Sequence, residues 1–186
     1  TNVLQGYGID TSGIVTDENL PTSFTDVMTL PDGERTFFSA EGANAALCEE
    51  DIRPEKLDCD LFHIGYLLLL KTLDSADGTC GTRMAGLLKK IRGRGIQTSI
   101  DVVSTEDKRF REVILPSLPY CDHVIVNEIE AGNITGIPLR ENGELLYENL
   151  RPVCEKIRQY GVNNTVTIHC QELAYSLDKN GRFSLF

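Results

Sequence analysis

The sequence predicts an α/β fold in which a doubly wound, mainly parallel sheet carries a small β-hairpin lid. Three observations support this class: strand and helix patterns alternate from residue 60 onward, the connections between them are short, and the first forty residues have a separate, hairpin-like texture. Strands joined in this way run parallel through right-handed crossovers. Ligands of such sheets bind beyond the carboxyl ends of the strands, so the polar residues just after each strand are candidate site residues.

The hairpin is indicated by two segments on either side of a turn. Residues 23–30 are rich in β-branched and aromatic side chains, and residues 35–40 repeat that composition. Between them, Pro31 presets a turn and Gly33 can take the positive φ that closes it. A two-stranded hairpin is marginally stable in water by itself, so we expect one of its faces to be covered.

The core elements follow from apolar spacing. Strands are predicted at residues 59–65, 96–103, 123–126 and 165–170. A helix is marked by apolar residues at i, i+3, i+4 and i+7, namely Met84, Leu87, Leu88 and Ile91. Gly93 or Gly95 would end it. Further helices are predicted at residues 109–115, from Asn127, and around residues 150–157, with Asn149 as N-cap and Pro152 inside the tolerant first turn.

Both ends of the chain are expected to be internal to a longer protein. Residues 3–8 are typical of the last turn of a helix closed by glycine. Residues 182–186 have the pattern of a strand that stops with nothing after it.

The charge balance argues against a nucleic-acid partner. The 186 residues include 28 acidic and 18 basic side chains, which gives a formal net charge of −10. Phosphate backbones are bound by clustered Lys and Arg, whereas the basic residues here are scattered. The tightest group, residues 89–94, lies in a helical pattern and is interpreted as a solvated helix face.

Membrane and secreted classes are also disfavoured. A membrane span needs roughly 20 apolar residues, and the best candidate, residues 64–70, stops at Lys71. The chain shows no signal-peptide pattern, and its six cysteines form no C-x-x-C pair. A reduced, cytoplasmic setting is favoured, with disulfide pairing as the alternative.

Asn127 and Glu130 stand at the junction between an apolar strand and a helix. Asn followed three residues later by Glu is an N-terminal capping box, in which each side chain satisfies an amide of the first turn. The functional interpretation is that Glu130 retains Mg²⁺ through water while Asn127 lies near phosphates, because hard cations prefer oxygen ligands and keep their waters. Both interpretations can hold at once.

Asp101 and His169 end two other predicted strands and so point toward the same edge of the sheet. Asp101 could equally cap the turn that follows it. A lone histidine is more often structural than catalytic, and His63 and His123 are interpreted as structural as well.

Several common site motifs are missing from the sequence. It contains no G-x-x-x-x-G-K-[ST], no strand-linked G-x-G-x-x-G and no G-x-S-x-G, which disfavours a P-loop, a dinucleotide site and a serine hydrolase. The three histidines lie near no C-x-x-C pair, so a zinc site is not expected.

Taken together, these segments resemble the PfkB (ribokinase-like) carbohydrate kinases. The resemblance is carried by the hairpin ahead of the core, by residues 33–36 in its turn, by residues 42–45 at the return to the core, by Asp101, and above all by residues 127–131, Asn-Glu-Ile-Glu-Ala. It implies the end of a core helix at residues 1–10, a β lid with its return at 11–46, and an α/β nucleotide- and sugar-binding core, incomplete at both ends, at 47–186.

The resemblance also implies the site residues. Asn127 and Glu130 would form the family's N-x-x-E element, with Glu130 holding Mg²⁺ through water. The remaining nucleotide-binding and sugar-binding positions would be Thr167 and His169 for ATP, and Phe24, Asp26, Asn44 and Asp101 for the sugar. The partner implied for the chain is a second copy joined through the lid.

Two family elements are altered or absent. The T-L-G-x-x-G stretch appears here as residues 167–172, Thr-Ile-His-Cys-Gln-Glu, without either glycine. The G-A-G-D stretch, which supplies the family's catalytic base and anion hole, is not in the chain, so the base is expected beyond Phe186; the amino-terminal G-G signature is absent too.

The resemblance implies the middle portion of an ATP-dependent sugar kinase, fructokinase-like and acting on a hexose or keto-sugar, and we expect the 186-residue segment alone to be inactive. A non-catalytic sugar- or nucleotide-binding relative and a structural module that pairs through its hairpin are the alternatives.

Overall fold

A computed structural model describes residues 2–31, 33, 35–105 and 107–186. In chain order its elements are α1 (Asn2–Gly6), β1 (Phe24–Thr29), β2 (Arg35–Ala40), α2 (Glu49–Ile52), β3 (Leu61–Leu67), β4 (Ala76–Asp77), β5 (Gly81–Thr82), α3 (Arg83–Gly93), β6 (Gln97–Val102), α4 (Phe110–Ile114), β7 (His123–Asn127), α5 (Glu128–Thr135), β8 (Arg140–Glu141), β9 (Glu144–Leu145), α6 (Tyr147–Gln159), β10 (Thr165–His169), β11 (Ala174–Leu177) and β12 (Phe183–Leu185). Short 3₁₀ turns cover Gly42–Ala46, Pro54–Lys56 and Leu118–Tyr120.

The central sheet has the strand order β12-β11-β10-β7-β6-β3. Strands β3, β6, β7 and β10 are parallel, while β11 and β12 extend the sheet antiparallel from β10. The predicted α/β class with a mainly parallel sheet is confirmed. Because the four parallel strands point the same way, their carboxyl ends meet along one edge of the sheet.

Helix α3 shows why the apolar spacing was informative. The four residues that predicted it are all fully buried in the core, and Gly93 is its last residue. At its start, the Thr82 hydroxyl accepts a hydrogen bond from the backbone N–H of Ala85 (3.1 Å).

Helix α6 differs from the prediction at its start. It begins at Tyr147, and the N-cap position is Leu146, so Asn149 is not the cap. The Asn149 side chain instead donates to the carbonyl oxygen of Pro138 (2.8 Å), which ties the helix to the preceding segment. Pro152 consequently lies beyond the first turn of α6, where proline destabilises a helix. Burial of the apolar face of α6 in the core offsets this cost.

The lid, defined here as β1 and β2 with their connection, forms as predicted. Phe24 pairs with Ala40 and Thr29 with Arg35, and Gly33 has φ +91°. Two turn residues, Asp32 and Glu34, lie outside the described part of the chain. Both faces of the lid are open, since Phe24 on one face and Phe37 on the other remain 58% and 56% exposed.

Gly42 closes the base of the lid. It has φ +50°, and a Cβ at this position would overlap the carbonyl oxygen of Pro21. That same oxygen accepts a hydrogen bond from the Ala43 N–H (2.9 Å). The close approach of the two chain segments therefore requires glycine at this point.

The segment after β3 is organised by a buried carboxylate. Asp74 is 7% exposed, and its Oδ2 accepts hydrogen bonds from the N–H groups of Leu68 (2.9 Å) and Leu70 (3.0 Å). Burial raises the Asp74 pKa to about 6, although these two hydrogen bonds and the positive charge of Arg109 act in the opposite direction. The carboxylate of Asp107 adds a small upward effect.

Among the described residues, no helix is long and apolar enough to cross a lipid bilayer.

Candidate functional site

Three polar residues stand where strands β6, β7 and β10 end. Asp101 is the penultimate residue of β6, Asn127 is the last residue of β7, and His169 is the last residue of β10. His169 is paired with Asn127 across the parallel strands. The sequence-based expectation that these residues share one edge of the sheet is confirmed.

Asn127 and Glu130 form the predicted capping box. The Asn127 Oδ1 accepts hydrogen bonds from the N–H groups of Ile129 and Glu130, both at 2.9 Å. In return, Glu130 Oε2 accepts the N–H of Asn127 at 2.9 Å. The backbone N–H groups of Ile129, Glu130 and the N-cap residue are thereby hydrogen-bonded, and these contacts orient both side chains.

Ser104, which the sequence did not single out, closes these contacts into a ring. Its hydroxyl donates to Glu130 Oε1 (2.8 Å) and accepts from Asn127 Nδ2 (2.8 Å). The ring joins the segment after β6 to the start of α5. A serine in a polar loop has no distinctive sequence pattern, and only its place just after a strand could have indicated a role.

The electrostatic setting of Glu130 is unusual for a glutamate. It is 4% exposed, and burial raises its pKa. The Asn127 N–H and the Ser104 hydroxyl work against that rise, as does His169, whereas the charge of Asp101 adds to it. A cation placed near Asp101 and Glu130 would relieve the repulsion between these two carboxylates.

The donor set fits magnesium held through water. Each Glu130 oxygen already accepts a hydrogen bond from the chain, which leaves it some further accepting capacity for a metal-bound water. Within the described ranges, no group of three or more His, Cys, Asp or Glu side chains is arranged to hold a metal ion directly. Mg²⁺ commonly keeps several waters and needs only one or two carboxylates, so this arrangement suits it.

Asp101 is half-buried and positioned by close backbone packing. Its Oδ1 accepts the N–H of Val102 (2.8 Å), which is a local turn contact of the kind expected for an Asp at a strand end. A Cβ on Gly65 would lie 3.3 Å from the Asp101 Cβ, so glycine on β3 leaves room for this side chain.

Thr167 and His169 occupy the same face of β10 but differ in environment. Thr167 is the third of five residues in the strand, and its hydroxyl is 3.0 Å from the Ser176 hydroxyl on β11. His169 is exposed at the strand end. The predicted placement at the strand end is therefore confirmed for His169, while Thr167 lies two residues before the strand end.

The sugar-side candidates lie on different elements from this ring. Phe24 and Asp26 share one face of the lid and are exposed, with Asp26 paired opposite Phe38. Asn44 is exposed in the 3₁₀ turn through which the chain returns from the lid. An exposed carboxylate beside aromatic rings can both accept hydroxyl hydrogen bonds and cover an apolar face of a ligand.

A lid joined to a mainly parallel α/β sheet, with a capped helix and acidic side chains at the carboxyl edge, defines a doubly wound fold whose ligands bind beyond the strand ends. The model of the pfkB family carbohydrate kinase matches residues 1–169. The chain belongs to this family.

Solved structures agree on the fold. Ribokinase from Giardia lamblia superimposes with a TM-score of 0.72 at 17% identity, covering 98% of this chain and 53% of that one. The PfkB protein from Polaromonas sp. JS666 gives 0.70 at 20% identity, with 98% and 59% covered. Fructokinase with bound ATP from Xylella fastidiosa gives 0.69 at 14% identity, with 99% and 56% covered.

These likenesses show the ribokinase-like, doubly wound fold. The chain spans a little over half the length of the structures it matches. A search of curated proteins finds no match.

Proposed function

We propose that this chain is the magnesium-nucleotide and sugar-binding portion of an ATP-dependent sugar kinase, which transfers the γ-phosphoryl group to a hydroxyl of a hexose or keto-sugar. The observation that carries the proposal is the hydrogen-bonded ring of Asn127, Ser104 and Glu130 at the carboxyl edge of the sheet, in a chain that belongs to the pfkB family. Family membership supports the reaction class, and the ring supports the location of the nucleotide site at this edge of the sheet.

On the nucleotide side, each residue has a task that its geometry allows. The start of α5 offers a partial positive charge to phosphate oxygens. Asn127 and Glu130 orient that helix end, and His169 stands exposed beside them. Mg²⁺, when bound, neutralises charge on the transferred phosphoryl group. Asp101 and Glu130 would hold it through water.

On the sugar side, Asp26, Asn44 and Asp101 offer oxygen and amide groups for hydroxyl hydrogen bonds, and Phe24 covers the ligand from the lid. A carboxylate or amide that is left unpaired when a hydroxyl is missing rejects the analogue strongly, so these positions would set the choice of sugar.

The catalytic base is not assigned to a residue of this chain. Asp101 would lie at the side of the cleft, and Glu130 is committed to the cap and to Ser104. The family's G-A-G-D stretch is absent from the sequence. We therefore propose that residues 1–186 bind ligands without transferring phosphate by themselves.

The lid is proposed to join two copies of the chain in the cytoplasm. Its apolar side chains Val27, Met28, Phe37 and Phe38 are each about half exposed, between 48% and 63%. Covering one face against a second lid would remove either Val27 and Phe37 or Met28 and Phe38 from water, which favours association.

A non-catalytic binding relative is the second candidate. It is favoured by the loss of both glycines from residues 167–172. Incubation with [γ-³²P]ATP, Mg²⁺ and a panel of hexoses and ketoses tests the kinase proposal in any longer chain that contains residues 1–186. Labelled sugar supports it, and sugar binding with no label in such a chain supports the relative.

A further inference from the structure

Arg140, on the short hairpin of β8 and β9, donates hydrogen bonds from all three of its guanidinium nitrogens. Its Nε donates to Glu128 Oε1 (3.0 Å), its Nη1 donates to Glu172 Oε1 (2.9 Å) and to the carbonyl oxygen of Gly143 (2.8 Å), and its Nη2 donates to Glu172 Oε2 (2.9 Å). The Nη2 also lies 2.9 Å from Glu128 Oε1. The planar guanidinium is thus bidentate toward Glu172, and it contacts Glu128 through the single oxygen Oε1.

These partners belong to the two elements that flank the proposed nucleotide site. Glu128 is the first residue of α5 and directly follows Asn127. Glu172 lies in the connection from β10 to β11, three residues after His169. Arg140 therefore links the connection that follows His169 to the first turn of the helix that follows Asn127.

Arg140 contacts a largely buried carboxylate on one side and an ionised one on the other. The Arg140 side chain is 24% exposed and that of Glu128 is 13% exposed. Hydrogen bonds from Arg140 lower the Glu172 pKa to about 2, so this carboxylate stays ionised at any ordinary pH. Because each Arg140 nitrogen is already engaged, the guanidinium is not free to bind a phosphate itself.

Residue 172 is one of the positions where the PfkB resemblance implies glycine. A connection with glycines can approach a nucleotide closely through its backbone. The chain instead carries a charged side chain there, and Arg140 holds that side chain away toward α5.

We propose that Arg140 is a positioning residue for the nucleotide, which fixes residues 170–173 against the start of α5 so that His169 and the helix end face the ligand together. This inference rests on the proposed function. Lysine cannot replace it, because an ammonium group is a point charge that cannot make a bidentate contact with Glu172 while it also contacts Glu128 and the Gly143 carbonyl oxygen.

The test uses Arg140→Lys, with Arg151→Lys as the matched control. Arg151 makes an exposed i, i+4 pair with Glu155 on α6, at 49% exposure for each side chain. Three quantities are measured for the whole chain: the melting temperature, the hydrogen–deuterium exchange of residues 170–173 without nucleotide, and the Kd for a Mg²⁺ complex of a non-hydrolysable ATP analogue.

For Arg140→Lys we expect faster exchange confined to residues 170–173 and the first turn of α5, because local opening reports the loss of local contacts. We expect the Kd to rise by about ten- to a hundredfold, by analogy with the loss of residues that orient metal ligands. The melting temperature should stay close to that of Arg151→Lys, which separates positioning from general stability.

Unchanged exchange in Arg140→Lys would overturn the proposed clamp. Faster exchange with an unchanged Kd would overturn its role in nucleotide binding. If the unsubstituted chain binds no nucleotide, the proposed function fails, and the role of Arg140 toward the nucleotide falls with it, while the exchange result still reports whether the clamp exists.

Discussion

Replacing Glu130 by Gln separates the capping role of this residue from its proposed role near the metal. A glutamine can still accept the Asn127 N–H through its carbonyl oxygen, since Gln also serves in capping boxes. Its amide group would face the Ser104 hydroxyl, which can turn to accept. The substitution therefore keeps both contacts of the ring and removes one negative charge.

The expected effect on stability is small. Hydrogen bonds to a charged group are worth about 1.5–3 kcal/mol and neutral ones about 0.5–1.5 kcal/mol, so two weakened contacts cost some stability. The loss is offset because burial already raises the Glu130 pKa, which means that ionised Glu130 is held at a cost. We expect a net change within about 1 kcal/mol, or about 2–4 °C in Tm for a chain of this size.

The effect on metal dependence should be large by comparison. Thermal unfolding of both proteins is followed with an ATP analogue at fixed concentration while Mg²⁺ is varied. The half-saturating Mg²⁺ concentration for ligand-induced stabilisation should rise about tenfold, which corresponds to about 1.4 kcal/mol. Glu130→Ala serves as the control that loses the cap as well, and its melting temperature should fall further than that of Glu130→Gln.

An unchanged magnesium dependence in Glu130→Gln would refute the metal role and leave the cap as the whole explanation. A melting temperature as low as that of Glu130→Ala would refute the reasoning about the retained contacts.

Three further predictions address the rest of the molecule. The folded-state pKa of Asp74 is raised from 3.8 to about 6, so its contribution to the free energy of unfolding is full below pH 3.8 and is lost as pH rises through 6. Asp74→Asn should abolish about 1–3 kcal/mol of this pH-dependent loss. An equal loss in both proteins, measured by urea unfolding across this pH range, would contradict the prediction. Light scattering should show a dimer that Phe37→Ser and Phe38→Ser together convert to monomer; a monomeric unsubstituted chain would disprove association. Residues 1–186 should transfer no phosphate to any sugar, because a positioned base contributes about 10²–10⁴-fold; measurable turnover would show that the base lies within the chain.

Periodic features of the fold could be predicted from the sequence because they depend on local chemistry. The apolar spacing of residues 84–91 puts four side chains on one helix face, and all four are buried in the core. The capping box of Asn127 and Glu130 was visible because both partners lie within four residues.

Contacts between distant segments could not be predicted in this way. Ser104 reaches Glu130 across 26 residues, and Arg140 reaches Glu172 across 32. Neither residue type is unusual in a polar connection, so nothing in the sequence distinguishes them from solvated side chains. The predicted N-cap of α6 is wrong for a related reason, since the Asn149 side chain donates its hydrogen bond to Pro138 in the preceding segment.

The central claim is that a magnesium nucleotide binds at the carboxyl edge of the sheet, beside the Asn127, Ser104 and Glu130 ring. The most direct measurement is a ¹H–¹⁵N NMR titration of the chain with the Mg²⁺ complex of a non-hydrolysable ATP analogue. We expect shifts concentrated at the amides of residues 127–130 and 167–172 that disappear when EDTA replaces Mg²⁺. Saturable shifts confined to other parts of the chain, or none at all, would contradict the claim.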